Sequence, residues 1–240
     1  MNWNEHWLET HIFRHKQPYD PMWDRQKEWV AEIDRHERLP SLLLLEHDHV
    51  YTFGRGGRQE HLLISEEMCK QKGIELANVD RGGDITYHGP GQLVGYPLIL
   101  LNRWKNDAHL YLRMLEETII KTLARYDIDA GRKPPYTGVW VGDEKIAAIG
   151  VKFNRGRQSK SFITSHGFAL NVNTDLSMFE YIIPCGIREY GVTSMAKLLD
   201  HPLDLAEVMQ VYQHIFVEEF QFEPHELRVH EDSEPDGRSS

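Results

Sequence analysis

The 240 residues are read as an α/β protein, one domain with a mixed β-sheet flanked by helices. Three features lead there. Short apolar runs of strand length alternate with amphipathic helical stretches, but without the strict β-α-β rhythm of an all-parallel sheet. No internal repeat or linker divides the chain, and 240 residues suffice for one large core. Apolar and charged contents of 40% and 27% are those of an ordinary soluble domain.

In chain order, residues 3–12 carry alternating bulky groups and are expected as a first strand. Pro18 and Pro21 read as a break. Residues 22–38 set Trp23, Trp29, Val30 and Ile33 on one helical face, and Pro40 ends that helix. Residues 42–45, four consecutive leucines, are a buried strand, and residues 50–53 another. His47 and His49 lack a third ligand at metal-binding spacing and are expected in a solvated turn. Residues 54–58, Gly-Arg-Gly-Gly-Arg, lack the phosphate-loop pattern and read as an anion-facing or partner-facing loop. Ser65 followed by two glutamates predicts a helix start, closed by Gly73, with Cys69 inside as a helix-buried or edge thiol rather than a nucleophile.

Residues 81–97, RGGDITYHGPGQLVGYP, hold the densest signal. Five glycines and two prolines share seventeen residues with Arg81, Asp84, Tyr87, His88 and Gln92. Turn chemistry explains the glycines but not the functional groups between them, so the stretch is expected as turn, strand, turn, strand around a site. Asp107 caps a helix over 108–126. Residues 139–141 and 145–153 read as a hairpin, with 154–160 a basic exposed tip, and 163–172 as the returning strand. Strict alternation then sets Lys145, Ala147 and Ile149 on one face and Ile146, Ala148 and Gly150 on the other. A short helix over 193–199 and a longer one over 203–220 follow. The domain is taken to end at 222, with 223–240 a polar, fraying tail.

The formal net charge of −10 argues against a nucleic-acid partner, and no run approaches membrane-span length. Two distant cysteines, with no leader-like N-terminus, suit a reducing, cytoplasmic setting. Cys185 stands between Pro184 and Gly186, which can hold a thiol at a loop tip. Its candidate activators are Lys145, Lys152, His88 and His166, and burial as a small hydrophobe is the competing reading.

Taken together, RGGDITYHGPGQLVGYPL at 81–98, VGDEKIAAIGVK at 141–152, HGFALNVNTDL at 166–176, PCGI at 184–187 and Thr193-Ser194 resemble, in order, the lipoyl/octanoyl transferase family. The resemblance implies the fold of biotin and lipoate protein ligases. It implies transfer of octanoyl from acyl carrier protein to a lysine of lipoyl domains, those of 2-oxoacid dehydrogenases and the glycine cleavage H protein, without cofactor or metal. It makes Cys185 the acyl-thioester residue and Lys145 the lysine that lowers its pKa. Substrate-binding segments follow at Arg81, Gly82, Gly83, Asp84, Ile85, Thr86, Tyr87 and His88, at Ala148, Ile149 and Gly150, and at Gly167, Phe168 and Ala169. Backbone N–H groups around Gly82-Gly83 or Gly186 are expected at the oxyanion. Arg55, Arg58, Arg155, Arg157 and Lys160 are expected to meet the acidic carrier protein. Residues 154–165 are longer than the family's usual connection. An ATP-dependent lipoate or biotin ligase of the same fold is the alternative.

Overall fold

In a computed structural model, which describes residues 3–184 and 190–231, a nine-stranded mixed sheet forms the body of the protein. Its strands are β1 (Trp7–Phe13), β2 (Ser41–Leu45), β6 (Gln92–Leu98), β7 (Gly131–Lys133), β8 (Tyr136–Val141), β9 (Glu144–Arg155), β10 (Phe162–Asn171), β11 (Gly191–Val192) and β12 (Glu223–His230). They run in the order β12-β1-β2-β6-β10-β9-β8-β7, with β11 beside the start of β9. A second sheet of three strands joins β4 (Glu75–Asn78), β3 (Val50–Phe53) and β5 (Ile85–His88).

The four leucines show why the body is layered. Leu42 and Leu44 enter one core with helices α3 (Ala108–Ala124) and α5 (Leu205–Glu219), while Leu43 and Leu45 enter the other with α1 (Tyr19–Asp34). A strand with helices over both faces needs an unbroken apolar run. The small sheet closes a third cluster with Cys69 of α2 (Glu66–Gln71) and with Phe179 from the helical turn Leu176–Tyr181. Burial raises the Cys69 thiol pKa, as befits a packed residue.

Cap residues sit where the sequence puts them. Ser65 accepts from Met68 N, Asp107 from His109 N and Leu110 N, and Ser194 opens α4 (Met195–Leu199) by accepting from Lys197 N.

Four expectations change. Pro18 and Pro21 do not break the chain: Pro18 caps α1 and Pro21 lies in its first turn, where a missing N–H costs nothing. The polar segment from 223 is not all tail, because Glu223–His230 forms β12, parallel to β1. His225 stacks on Trp7 at 4.5 Å and His230 on Phe13 at 4.3 Å, apolar contacts that composition counts as polar. His47 is fully buried, not solvated; its Nδ1 donates to Gln17 O at 2.6 Å and its Nε2 accepts from the Tyr96 hydroxyl at 2.7 Å. The 54–58 loop is not an anion cradle. All five of its N–H groups are engaged, on Asp84 O, Arg81 O, Gly83 O, Gly54 O and the Asp84 carboxylate. It braces the glycine-rich loop instead. A Cβ at Gly54 would lie 2.4 Å from Gly83 O, so only glycine lets the two backbones meet.

Candidate active site

Where α1 and β5 face the central strands β6, β9 and β10, a narrow cleft forms, open to solvent and concave as small-molecule sites are. Segments far apart in sequence converge on it: Arg81, Gly82, Gly83 and Asp84; Thr86 and His88; Ala148, Ile149 and Gly150; and Gly167, Phe168 and Ala169. Ile85 and Tyr87 are not brought in. The pleat of β5 turns them to the small-sheet core, where Tyr87 Oη meets His49 Nδ1 at 2.7 Å. Tyr19 and Tyr96 line the cleft as well; Tyr19 opens α1 ahead of the helix start expected at 22, in the stretch read as a break.

Glycine gives the cleft its floor and rim. A Cβ on Gly95 would stand 2.0 Å from the Phe168 ring, and one on Gly167 2.1 Å from Gly95 O. Gly83 has φ of +85°, and Gly82 N donates to Val151 O at 2.9 Å, tying the loop to β9. That bond removes the Gly82 N–H from the oxyanion candidates. The Asp84 carboxylate holds the loops together, accepting from Arg58 N and Ile85 N and meeting His61 Nδ1 at 2.5 Å. The Arg81 guanidinium is buried against Thr52, donating to its carbonyl at 2.6 Å and its hydroxyl at 2.8 Å.

A second, smaller cavity shares Thr86, Ala148 and Ala169 with the first and adds Gln92, Lys145, Asn171, Phe179, Pro184 and Val192. Lys145 is buried, its ammonium 4.9 Å from the centre of the Trp140 ring. Among the described residues it has no carboxylate partner. It shares this wall with Ala148, not with Ala147. The pairs Val139↔Ala147 and Trp140↔Lys145 set three residues of β9 against two of β8, a β-bulge that resets the alternation. Ile146 and Ala147 both enter the main core. Gly138, with φ of +130°, leaves space beside the lysine stem, and the buried Glu116 carboxylate accepts its N–H at 3.1 Å. Cys185, bonded to Pro184, lies outside the described residues.

The other candidate activators are committed elsewhere. Lys152 Nζ lies 2.5 Å from Asp80, whose second oxygen is 2.9 Å from His166 Nε2. Those two partners hold the Asp80 pKa well below the usual carboxylate range, while burial lowers that of His166 against the pull of Asp80. His88 is fixed by a chain of amides. Asn171 donates to Thr193 O, Gln92 donates to Asn171 Oδ1 and Tyr87 O, and so Gln92 Oε1 faces His88 Nδ1 at 2.9 Å. An amide oxygen only accepts; Nδ1 therefore carries the proton, and the neutral ring keeps its lone pair on Nε2. Burial, then the nearby His47 and Arg81, push the His88 pKa well down.

Fold and cleft define a class. The bi-partite lipoate protein ligase of Thermoplasma acidophilum superposes with a TM-score of 0.68 at 20% identity, over 93% of this chain and 88% of that one. The biotin protein ligase of Aquifex aeolicus does so at 0.50 and 17%, over 88% and 69%. These likenesses are of fold, that of the ligase catalytic domains.

Within it, residues 18–217 match the lipoyl protein ligase A/B catalytic domain family. An octanoyltransferase of Rubrobacter xylanophilus is 53% identical over 192 residues, 80% of this chain and 84% of that protein. The chain belongs to the octanoyltransferases, acyltransferases of protein lipoylation. No helix among the described residues is long and apolar enough to cross a membrane.

Proposed function

We propose that this chain moves octanoyl from acyl carrier protein to the target lysine of lipoyl domains, in the cytoplasm, through a thioester on Cys185. One observation carries the assignment of the dyad: Pro184, the residue bonded to Cys185, shares a cavity wall with the buried Lys145, and that cavity adjoins the glycine-lined cleft, the two having Thr86, Ala148 and Ala169 in common.

In this mechanism Lys145 as ammonium and Cys185 as thiolate form the resting pair. The thiolate adds to the octanoyl thioester carbonyl. Collapse expels the carrier's sulfur, which takes the Lys145 proton and leaves as a thiol. The acyl chain lies along Ile149, Phe168 and Ala169. The acceptor lysine enters as a free amine, its proton left in water, and adds to the Cys185 thioester. Neutral Lys145 takes the amine proton as the amide forms, restoring the pair. Thioester becomes amide, so no nucleotide is consumed. Tyr19, Tyr96 and His88 fix the polar wall of the cleft rather than exchange protons.

The test is intact-mass analysis after mixing with octanoylated carrier protein. The wild type gains one octanoyl group and loses it to an added lipoyl domain without ATP. Cys185→Ala gains none; an undiminished adduct on that variant rejects the assignment.

A further inference from the structure

The tip of the hairpin between β9 and β10 takes no part in lining the cleft. Its tip carries Arg155, Arg157 and Lys160, all exposed, on a chain of net charge −10. Together with Gly156 these residues frame a broad open depression. No carboxylate is ion-paired to any of the three among the described residues. The one acidic side chain at the turn is consumed in building it: Asp34, the last residue of α1, accepts from Arg157 N at 2.9 Å, from Ser159 N at 3.0 Å and from the Ser159 hydroxyl at 2.8 Å. Burial alone would raise its pKa, but these hydrogen bonds win and lower it, so Asp34 stays ionised and the turn stays set.

On the other side, the Asn106 side-chain oxygen accepts from Phe162 N at 3.0 Å and the Ser161 hydroxyl at 2.8 Å, which ties the turn that carries the exposed Lys105 to the base of the hairpin. Phe162, paired across the ladder with Arg155, is 37% exposed. An exposed aromatic on a hairpin whose tip presents three exposed cations combines the apolar contact and the charged rim of a protein interface.

Resting on the octanoyl-transfer reading above, we propose that this tip docks the acidic acyl carrier protein. Gly150 lines the cleft and Arg155 lies five residues further along the same strand, about 17 Å away at ~3.4 Å per residue. A carrier seated on the tip thus stands off from the cleft and must deliver its acyl group on an extended prosthetic arm. Of the two basic stretches in the sequence, the 54–58 loop is the poorer dock. Its backbone is spent on the cleft rim and Arg58 is shared with Glu60 at 3.4 Å.

The test compares donors. The variant R155E/R157E/K160E, with R155Q/R157Q/K160Q as a milder companion, is assayed with octanoylated carrier protein and with octanoyl-coenzyme A, lipoyl domain held constant. With the carrier, KM rises about tenfold or more for the Glu variant, less for the Gln variant, and the wild type's loss of rate with added salt flattens. With octanoyl-coenzyme A, kcat/KM is unchanged, as is KM for the lipoyl domain. Unchanged carrier kinetics, an equal fall with both donors, or a rise only in the lipoyl-domain KM each overturn the docking site. A wild type that transfers octanoyl from neither donor rejects the proposed function itself.

Discussion

Lys145 owes its setting to neighbours that carry no charge. Trp140 covers its ammonium, Gly138 gives its stem room, and β11 lies along its backbone. As the proton carrier of the proposed cycle, its replacement by methionine keeps the packing and removes the amine. Single-turnover transfer from acyl-enzyme to lipoyl domain is expected to slow by about 10²–10⁴-fold, with the thermal midpoint little changed. His88 serves differently. Its proton is pinned on Nδ1 by Gln92, so its ring nitrogens, followed by NMR, are expected to show the Nδ1-protonated neutral form from pH 8 down to pH 5. An imidazole titrating near its ordinary 6.5 in this range contradicts that tautomer. The sequence made His88 and Lys145 visible as chemistry without telling acceptor from base, because that distinction lies in hydrogen bonds to Gln92, Asn171 and Thr193.

Strands explain what was legible and what was not. In β5 simple alternation holds, so Thr86 and His88 enter the cleft while Ile85 and Tyr87 leave it, and only a segment-wide reading made all four substrate-binding. In β9 alternation fails, because the bulge adds one residue opposite Val139 and Trp140, and a period of two cannot register an insertion that the partner strand imposes. β12 escaped notice for a related reason. Its exposed, charged residues pack through histidine rings that pattern analysis scores as polar. The glycines, by contrast, were legible as close approaches although not as to what they approach. Gly95 lies on β6 under Phe168, whose ring packs tilted against Tyr212 at 4.4 Å. Gly95→Ala forces that ring aside. The expected cost is about 1–3 kcal/mol in denaturant unfolding, together with a raised KM for the octanoyl donor, since Phe168 also lines the cleft. A variant as stable and as active as the wild type shows that the floor yields freely.

Across the molecule, four buried histidines sit between layers: His11 under β12, His47 behind Tyr96, His88 and His166 at the cleft. Burial lowers the pKa of all four, that of His47 to about 4. In the unfolded chain each takes up a proton near pH 6.5, while the folded protein does not until each native pKa is reached. Below pH 6.5 the unfolded state therefore binds more protons, and stability falls with pH. His47 alone, 2.5 units below its ordinary value, accounts for roughly 3 kcal/mol of this loss by pH 4. Asp34, Asp80 and Glu9, whose pKa values are also lowered, act in a separate window. Their contribution is intact above the unfolded carboxylate pKa and disappears only as pH drops through their depressed native values. Acid unfolding is thus expected in two stages, a histidine stage from pH 6.5 to about 4 and a carboxylate stage below it. Thermal midpoints measured from pH 7.5 to 5 test the first. They should decline over a range in which no ordinary carboxylate titrates, and His47→Gln, which keeps a donor for Gln17 O, should flatten the decline while lowering the midpoint at pH 7.5. A profile flat to pH 5 in the wild type would mean that these histidines are protonated without disturbing the layers they join.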